Sequence, residues 1–382
     1  MPPSPSQPSP ARTIRQFWLC VAISLLALVV AFGLAEIVFR LKNHIPLTWD
    51  TPGLYADDAA LGWRVKPHYR EEKQSRDCAG EPYPLAFSTM DHGFREYGDT
   101  RALKKLLILG DSFTLNRDVS DGQTYSAILG RRLGCTVFTY GSGGYGSLQE
   151  YGILAENLAR IRPDAILFQL HTNDSINNDF ALEKQSVINN NFHFRPYLAD
   201  DDTTVIASPY AHWSQAVLDA TGRLLGNRSH IISSIQHNLQ LVLYAKYKDA
   251  SVERAIESGQ DLPDYAHSLA ATRRVFAKVC QASGDTPVFA FVLGGGRIAR
   301  DLTQALAATC VTVLPDVSDA AFAQRPDEPA RLAADCGHLS AYGNARLADL
   351  LADRLQPYAD KLFPGKSAAS AAGPDAAANP SP

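Results

Sequence analysis

Basic charge is scarce in this chain. Its 382 residues carry 36 Lys and Arg against 40 Asp and Glu, a formal net charge of −4. With no basic excess, nothing in the balance argues for nucleic acid as a partner. Cysteine is scarce too. There are six, none in a CxxC pair, so the spacing of a metal-ligand set is missing and no metal or cofactor is implied. Cys20 falls in an apolar run. Cys78, Cys135, Cys280, Cys310 and Cys336 remain, an odd number whose connectivity the sequence leaves open. A disulfide is compatible with an exported domain. No internal repeat is present, which excludes stacked-repeat architectures. Long apolar runs are absent with one exception.

That exception is FWLCVAISLLALVVAFGLAEIVF, Phe17 to Phe39, in which Ser24 and Glu36 are the notable polar residues. At ~1.5 Å per residue such a run spans a hydrocarbon core of ~30 Å. It reads either as an uncleaved transmembrane anchor over 17–39 or as a signal peptide cut after Gly33-Leu34-Ala35. Apolar Ile37, Val38 and Phe39 continue past that cut and favour the anchor. Arg12 and Arg15 precede the run while Arg40 and Lys42 follow it. Flanking charge therefore sets no orientation.

The chain's length admits one large domain or two small ones, and its apolar fraction of 46% supports a proper core. Residues 1–16 are expected to be disordered, beginning as they do with a Pro- and Ser-rich stretch, as is the tail 363–382. Residues 40–100 mix prolines and aromatics without a clear period and are expected to form a leader packed on the main domain. From Lys104 a rhythm appears. Strands are predicted at 106–109, 136–140, 165–170, 287–293 and 311–314. Helices are predicted at 125–133, 148–161, 269–282, 299–308 and 341–355. The strands are near-continuous apolar runs, as burial on both faces requires. This alternation predicts an α/β fold, a three-layer α/β/α sandwich with a mostly parallel sheet. The main domain is expected over 101–362, with a polar, partly helical insertion at 175–265.

In an open parallel sheet, ligands bind beyond the carboxyl ends of the strands. Four loops are therefore informative. The first predicted strand runs into Gly110-Asp111-Ser112, the second into GSGGYGS, and the third into HTND; DCGHLS precedes the last helix. Turn residues are the bland reading of each. The sharper reading makes Ser112 a nucleophile. Serine needs a base to take its proton, and histidine suits that work at neutral pH. A carboxylate on the other imidazole nitrogen fixes the tautomer. Asp335 and His338 have a spacing that allows both roles within one loop. A tetrahedral intermediate needs hydrogen-bond donors. Gly144 and Asn173 are the candidates, through a backbone N–H and a side-chain amide.

Taken in order, the four blocks resemble the SGNH superfamily, the GDSL-like lipases and esterases. GDSFT matches its first block with Ser112 as nucleophile. GGYGSLQE matches the glycine block with Gly144, HTND the third block with Asn173, and DCGHLS the D-x-x-H block with Asp335 and His338. The resemblance covers residues 104–175 and 268–355. MDHGFRE, Met90 to Glu96, is similar to a segment found upstream in membrane-anchored bacterial members. His171 stands where the family has glycine, and Thr139-Tyr140 where it has an asparagine-led approach. The resemblance implies a flavodoxin-like sheet and a Ser112–His338–Asp335 triad. It also implies an oxyanion hole made by the N–H groups of Ser112 and Gly144 and by the Asn173 amide. The expected activity is acyl-ester hydrolysis without a cofactor, on a substrate that includes carbohydrate esters. The expected location is a single-pass N-terminal anchor with the catalytic domain periplasmic or extracellular.

Rival readings keep their place. O-acyl transfer to a polysaccharide uses the same residues with a different acceptor. A catalytically dead binding domain is opposed by the intact Ser112, Asp335 and His338. GSGGYG also fits a dinucleotide-binding fingerprint, but no acidic residue closes the next strand, which ends on His171 and Asn173. Asn173 and Asn227 open glycosylation sequons that matter only in a eukaryotic secretory setting. Trp213, Tyr197, Tyr210, Tyr244 and Tyr247 could stack on sugars, although core packing is the commoner role.

Overall fold

The computed structural model describes residues 10–42, 47, 53–191, 193–210, 213, 216–217, 220, 229–247, 250–318 and 337–363. Residues 1–9 of the expected disordered N-terminus, residues 364–382 of the expected tail, and Asp335 lie outside the described residues. The chain forms two compact units, one from residues 1–53 and 216–243, the other from 54–215 and 244–382.

In the first unit the apolar run belongs to a helix spanning Pro10–Lys42. Residues 10–16, expected to be disordered, form its first turns, because Ala11, Ile14 and the residues around them carry no helix breaker after Pro10. Pro is tolerated at a helix start, where its missing N–H is not needed. The stretch Ile14–Lys42 is long and apolar enough to cross a membrane, a property shared by anchors and signal sequences. Glu36 has local work within it. Its carboxylate accepts the N–H groups of His230 (2.8 Å) and Ile231 (3.1 Å) and the Ser229 hydroxyl (2.9 Å), and it pairs with Arg40. These bonds satisfy donors at the start of the helix His230–Tyr247 that nothing within the helix can satisfy.

The second unit is built on one six-stranded sheet. The described strands of the whole unit, in chain order, are Tyr55–Asp58 (β1), Gly62–Val65 (β2), Arg70–Arg76 (β3), Pro82–Ser88 (β4), Glu96–Tyr97 (β5), Lys105–Gly110 (β6), Thr136–Gly141 (β7), Ala165–His171 (β8), Arg195–Leu198 (β9), Thr204–Ala207 (β10), Val288–Leu293 (β11) and Thr312–Val313 (β12). The main sheet runs β12-β11-β8-β6-β7-β5. All its pairings are parallel except β5 on β7. Leaving out the antiparallel edge, the five parallel strands follow the 2-1-3-4-5 order of flavodoxin-like sheets, whose switch point lies between the first and third strands. Here those are β6 and β8.

Side-chain alternation explains the two helical layers. Leu107, Leu109, Ile166, Phe168, Val288 and Ala290 point to one face, in a cluster with residues of the helices Ser147–Ile161, Pro263–Ser283 and Gly296–Ala307. Leu106, Ile108, Leu167, Phe289 and Phe291 point to the other, with residues of Tyr125–Leu133 and Ala341–Leu355. All six residues of β6 are buried. That explains the absence of a polar-apolar alternation in its sequence. The helix starts are locally encoded. Thr124 accepts the N–H of Ala127, and Ser340 that of Gly343.

The leader is more ordered than its lack of period suggests. Two hairpins, β1–β2 and β3–β4, lead into the edge strand β5. Its aromatic and polar side chains are spent on particular contacts rather than on one amphipathic face. The Tyr140 hydroxyl accepts the Val65 N–H at 3.1 Å, and Gln149 donates to Leu61 O at 2.6 Å. Within the expected insertion, β9 and β10 form a further hairpin.

Candidate active site

The question posed by the first block is why a buried strand should end on Gly-Asp-Ser. At Gly110, a Cβ would lie 2.3 Å from Thr114 Oγ1 and 2.6 Å from Gln169 Oε1, so the site requires glycine. Asp111 follows as an N-cap, its carboxylate accepting the N–H of Phe113 at 2.9 Å. One helical turn, Ser112–Leu115, then ends on Asn116 in the left-handed region (φ 50°). The strand, cap and single turn lift the half-buried Ser112 to the sheet's carboxyl rim.

His338 Nε2 lies 2.7 Å from Ser112 Oγ, although the two residues are 226 positions apart. The imidazole is held by the segment that leads into the Ser340 cap of the last helix. The Phe113 ring lies beside it at 4.6 Å between centroids and beside His171 on its other contact at 4.7 Å. His171 thereby has a packing role in the third loop. It stacks on the residue after the nucleophile and brings Nδ1 to 2.9 Å from Asn173 Oδ1.

The glycine block is held from three sides. Gly144 sits at φ +71°, where a β-carbon is strained, and its Cβ position lies 2.5 Å from Asn191 Nδ2. Its carbonyl accepts from the Arg195 guanidinium. Neighbouring Gly143 donates its N–H to the Tyr55 hydroxyl at 3.1 Å, and its carbonyl accepts from Trp63 Nε1 at 3.2 Å. The Asn173 amide donates to Asn177 Oδ1 at 3.1 Å and Tyr145 O at 3.4 Å, which ties the third loop to the second. Asp174 adds a second tie by accepting from Ser147 Oγ and from the His171 N–H.

A cavity of about 150 Å³ opens at the Ser112–His338 pair, lined also by Tyr55, Arg117, Asp118 and Gly143. Of the residues singled out from the sequence, Ser112 and His338 form its walls. Gly144 and Asn173 are not among its walls; the adjacent Gly143 is. Asp335 lies outside the described residues. Among those described, no group of three or more His, Cys, Asp and Glu is arranged to hold a metal ion.

Beneath the site lies acid. Burial raises the carboxyl of Asp111, opposed by the nearby imidazoles of His171 and His338. Burial, and then the proximity of Asp111, push Asp174 well above the usual carboxylate range. Burial, then Asp174 and Asp111, do the same to Glu150, whose two oxygens have no hydrogen-bond partner among the described residues. Each of these carboxyls therefore keeps its proton to a higher pH than a solvated one does.

Sequence reasoning missed Tyr55, Arg117 and Arg195 as neighbours of the site. The available signal was weak, an arginine opening the short apolar strand RPYL and aromatics in the leader. MDHGFRE proves to be a brace. Arg95 donates to Ser88 O and Val119 O at 2.8 and 2.7 Å, and Glu96 accepts from the hydroxyls of Thr124 and Ser126. Together they fix the loop that follows the nucleophile turn.

No family model and no curated protein matches the chain in sequence. Solved structures that it is similar to include TesA, with a TM-score of 0.37 and 14% identity over 66% of this chain and 99% of that one. Another is the lipase/acylhydrolase from Enterococcus faecalis, with a TM-score of 0.36 and 12% identity over 67% and 96%. A third is a family two carbohydrate esterase from Cellvibrio japonicus, with a TM-score of 0.36 and 12% identity over 74% and 66%. All three share 14% identity or less with this chain.

Proposed function

We propose that the chain is a serine esterase with Ser112 as nucleophile and His338 as general base. One observation carries the reading: the 2.7 Å approach of His338 Nε2 to Ser112 Oγ at the carboxyl end of the central strand. In this mechanism the imidazole takes the hydroxyl proton as Oγ attacks an ester carbonyl. Asp335 holds the imidazolium, and the oxyanion is met by the N–H groups of Ser112 and Gly144 and by the Asn173 amide. The alcohol leaves with the proton from His338, and water then hydrolyses the acyl-enzyme by the same route. The Asn173 amide is engaged with Asn177 and Tyr145, so serving the oxyanion requires it to exchange one of those bonds.

The cavity supports a small acyl group. Its volume of about 150 Å³ suits a short acyl group such as acetyl. The Cys280–Cys310 disulfide supports a domain that works in an oxidising compartment, outside the cytoplasm, behind a helix acting as its anchor.

The test is fluorophosphonate labelling with p-nitrophenyl acetate turnover. Wild type is expected to label and turn over; Ser112→Ala is expected to do neither while keeping its fold. Equal labelling of both would identify the wrong serine. A folded wild type that does not label would overturn the esterase reading.

A further inference from the structure

The small cavity does not stand alone. A second recess of about 920 Å³ shares Asp118 and Val119 with it and continues past Ser340 and Tyr342. That volume is at the upper end of what ligand sites enclose, about 300–1,000 Å³. Its floor is the β3–β4 hairpin. Strand register puts Glu72 opposite Ala86 and Gln74 opposite Pro84, so these four side chains share one face. All four line the recess.

The charge of the recess limits what it can take. Glu72, Asp77 and Asp118 are acidic, and the basic Lys73 is already paired with Glu71 at 2.8 Å. A polyanion would meet repulsion there. A hydrocarbon chain would strip water from those carboxylates and from the amides of Gln74 and Gln123 without returning hydrogen bonds. Neutral hydroxyls return them. Tyr83 and Tyr342 add aromatic surface of the kind that packs against sugar rings.

We infer that this recess is the subsite for a strand of neutral sugars. The strand's O-acyl group enters the 150 Å³ cavity at Ser112 while the sugar rings lie along the hairpin. This rests on the esterase reading for its chemistry, since the strand is the alcohol that departs from the acyl carbon as Ser112 takes the acyl group. The hairpin belongs to the leader, so substrate choice is carried by a part of the chain outside the four sequence blocks.

The experiment uses the full chain in detergent micelles and a variant, Ala86→Trp, that places an indole on the recess floor. Ala86 is exposed, so the substitution adds bulk to the recess and leaves the core alone. Three ester classes are compared: p-nitrophenyl acetate, O-acetylated neutral xylo-oligosaccharides and O-acetylated oligogalacturonates. We expect Ala86→Trp to raise KM for the neutral oligosaccharide by about tenfold while kcat holds, the pattern of lost substrate binding. Turnover of p-nitrophenyl acetate stays within about twofold. Gln74→Ala repeats the effect more weakly. Binding of the oligosaccharide to Ser112→Ala, followed by calorimetry, is lost on adding Ala86→Trp. An unchanged KM in Ala86→Trp, or a preference for oligogalacturonates, would overturn the inference while leaving the esterase reading intact. A wild type inert toward p-nitrophenyl acetate would strike the esterase reading instead. The calorimetric arm, which needs no turnover, would then decide the subsite alone.

Discussion

Replacing Arg195 with methionine removes a guanidinium that no solvent reaches. Its side chain is fully buried, 3.3 Å from the equally buried Glu183 carboxylate. It also donates to the carbonyls of Gly144 and, at 3.4 Å, Asn177, and it lies 5.0 Å from the Trp63 ring centroid. Methionine refills much of the volume but leaves Glu183 with the Tyr197 hydroxyl at 3.0 Å as its main partner. Breaking a buried pair from one side costs about 3–5 kcal/mol. At about 2–4 °C per kcal/mol for a domain of this class, Tm should fall by roughly 6–20 °C. The loss has a pH sign. Burial already raises the Glu183 carboxyl, and Arg195 opposes that rise. Without Arg195 it rises further, so the folded state binds a proton that the unfolded state releases above pH ~4.3. Stability then falls as pH climbs through that value, and the gap between variant and wild type narrows on acidification. Adding Glu183→Gln should restore stability at neutral pH. It should not restore turnover, because the Gly144 carbonyl stays unbraced. A misplaced oxyanion donor costs up to ~10² in kcat. Thermal melts at pH 5 and 8, with p-nitrophenyl acetate kinetics, decide it. An Arg195→Met protein that melts with wild type, or that melts early yet keeps full kcat, would refute the reasoning.

Three further outcomes are expected. Glu150→Gln should gain stability relative to wild type as pH rises above ~4.3, by up to ~1.4 kcal/mol per unit until the folded-state carboxyl ionises; urea titrations giving a pH-independent gap would contradict a buried, proton-holding Glu150. Gly144→Ala, at φ +71° and against Asn191, should lose roughly 1–2 kcal/mol and lower kcat more than KM, read by denaturation and kinetics on the same preparation. Cys280 is joined to Cys310, while Cys20 and Cys135 are free; a non-reducing digest should recover the peptides of Cys280 and Cys310 linked, and free thiols at both would contradict it.

Much of the main domain was legible because its signals are local. Apolar strands ending on turn residues, with Thr124 and Ser340 as caps, mark their own boundaries. The predicted helices at 125–133 and 341–355 match the structure at both ends. Ser112 and His338 were legible as candidates because block order survives where overall similarity does not. Less was legible in the leader, where Tyr55, Trp63 and Arg95 act through individual long-range contacts that leave no period. Arg195 was illegible for a related reason. A buried ion pair is a property of two segments, and neither RPYL nor the helix bearing Glu183 announces the other.

The chain's amino-acid order by itself determined which residues could do chemistry and which stretches must be buried, since both follow from side-chain type and spacing. Only the tertiary structure decided which of those residues meet. The parallel strand order carries loops from distant parts of the chain to one rim, where hydrogen-bond distance turns a serine and a histidine into a pair. It also decided the walls around them, because the leader hairpin, Tyr55 and Arg117 reach the site through packing that no local pattern encodes.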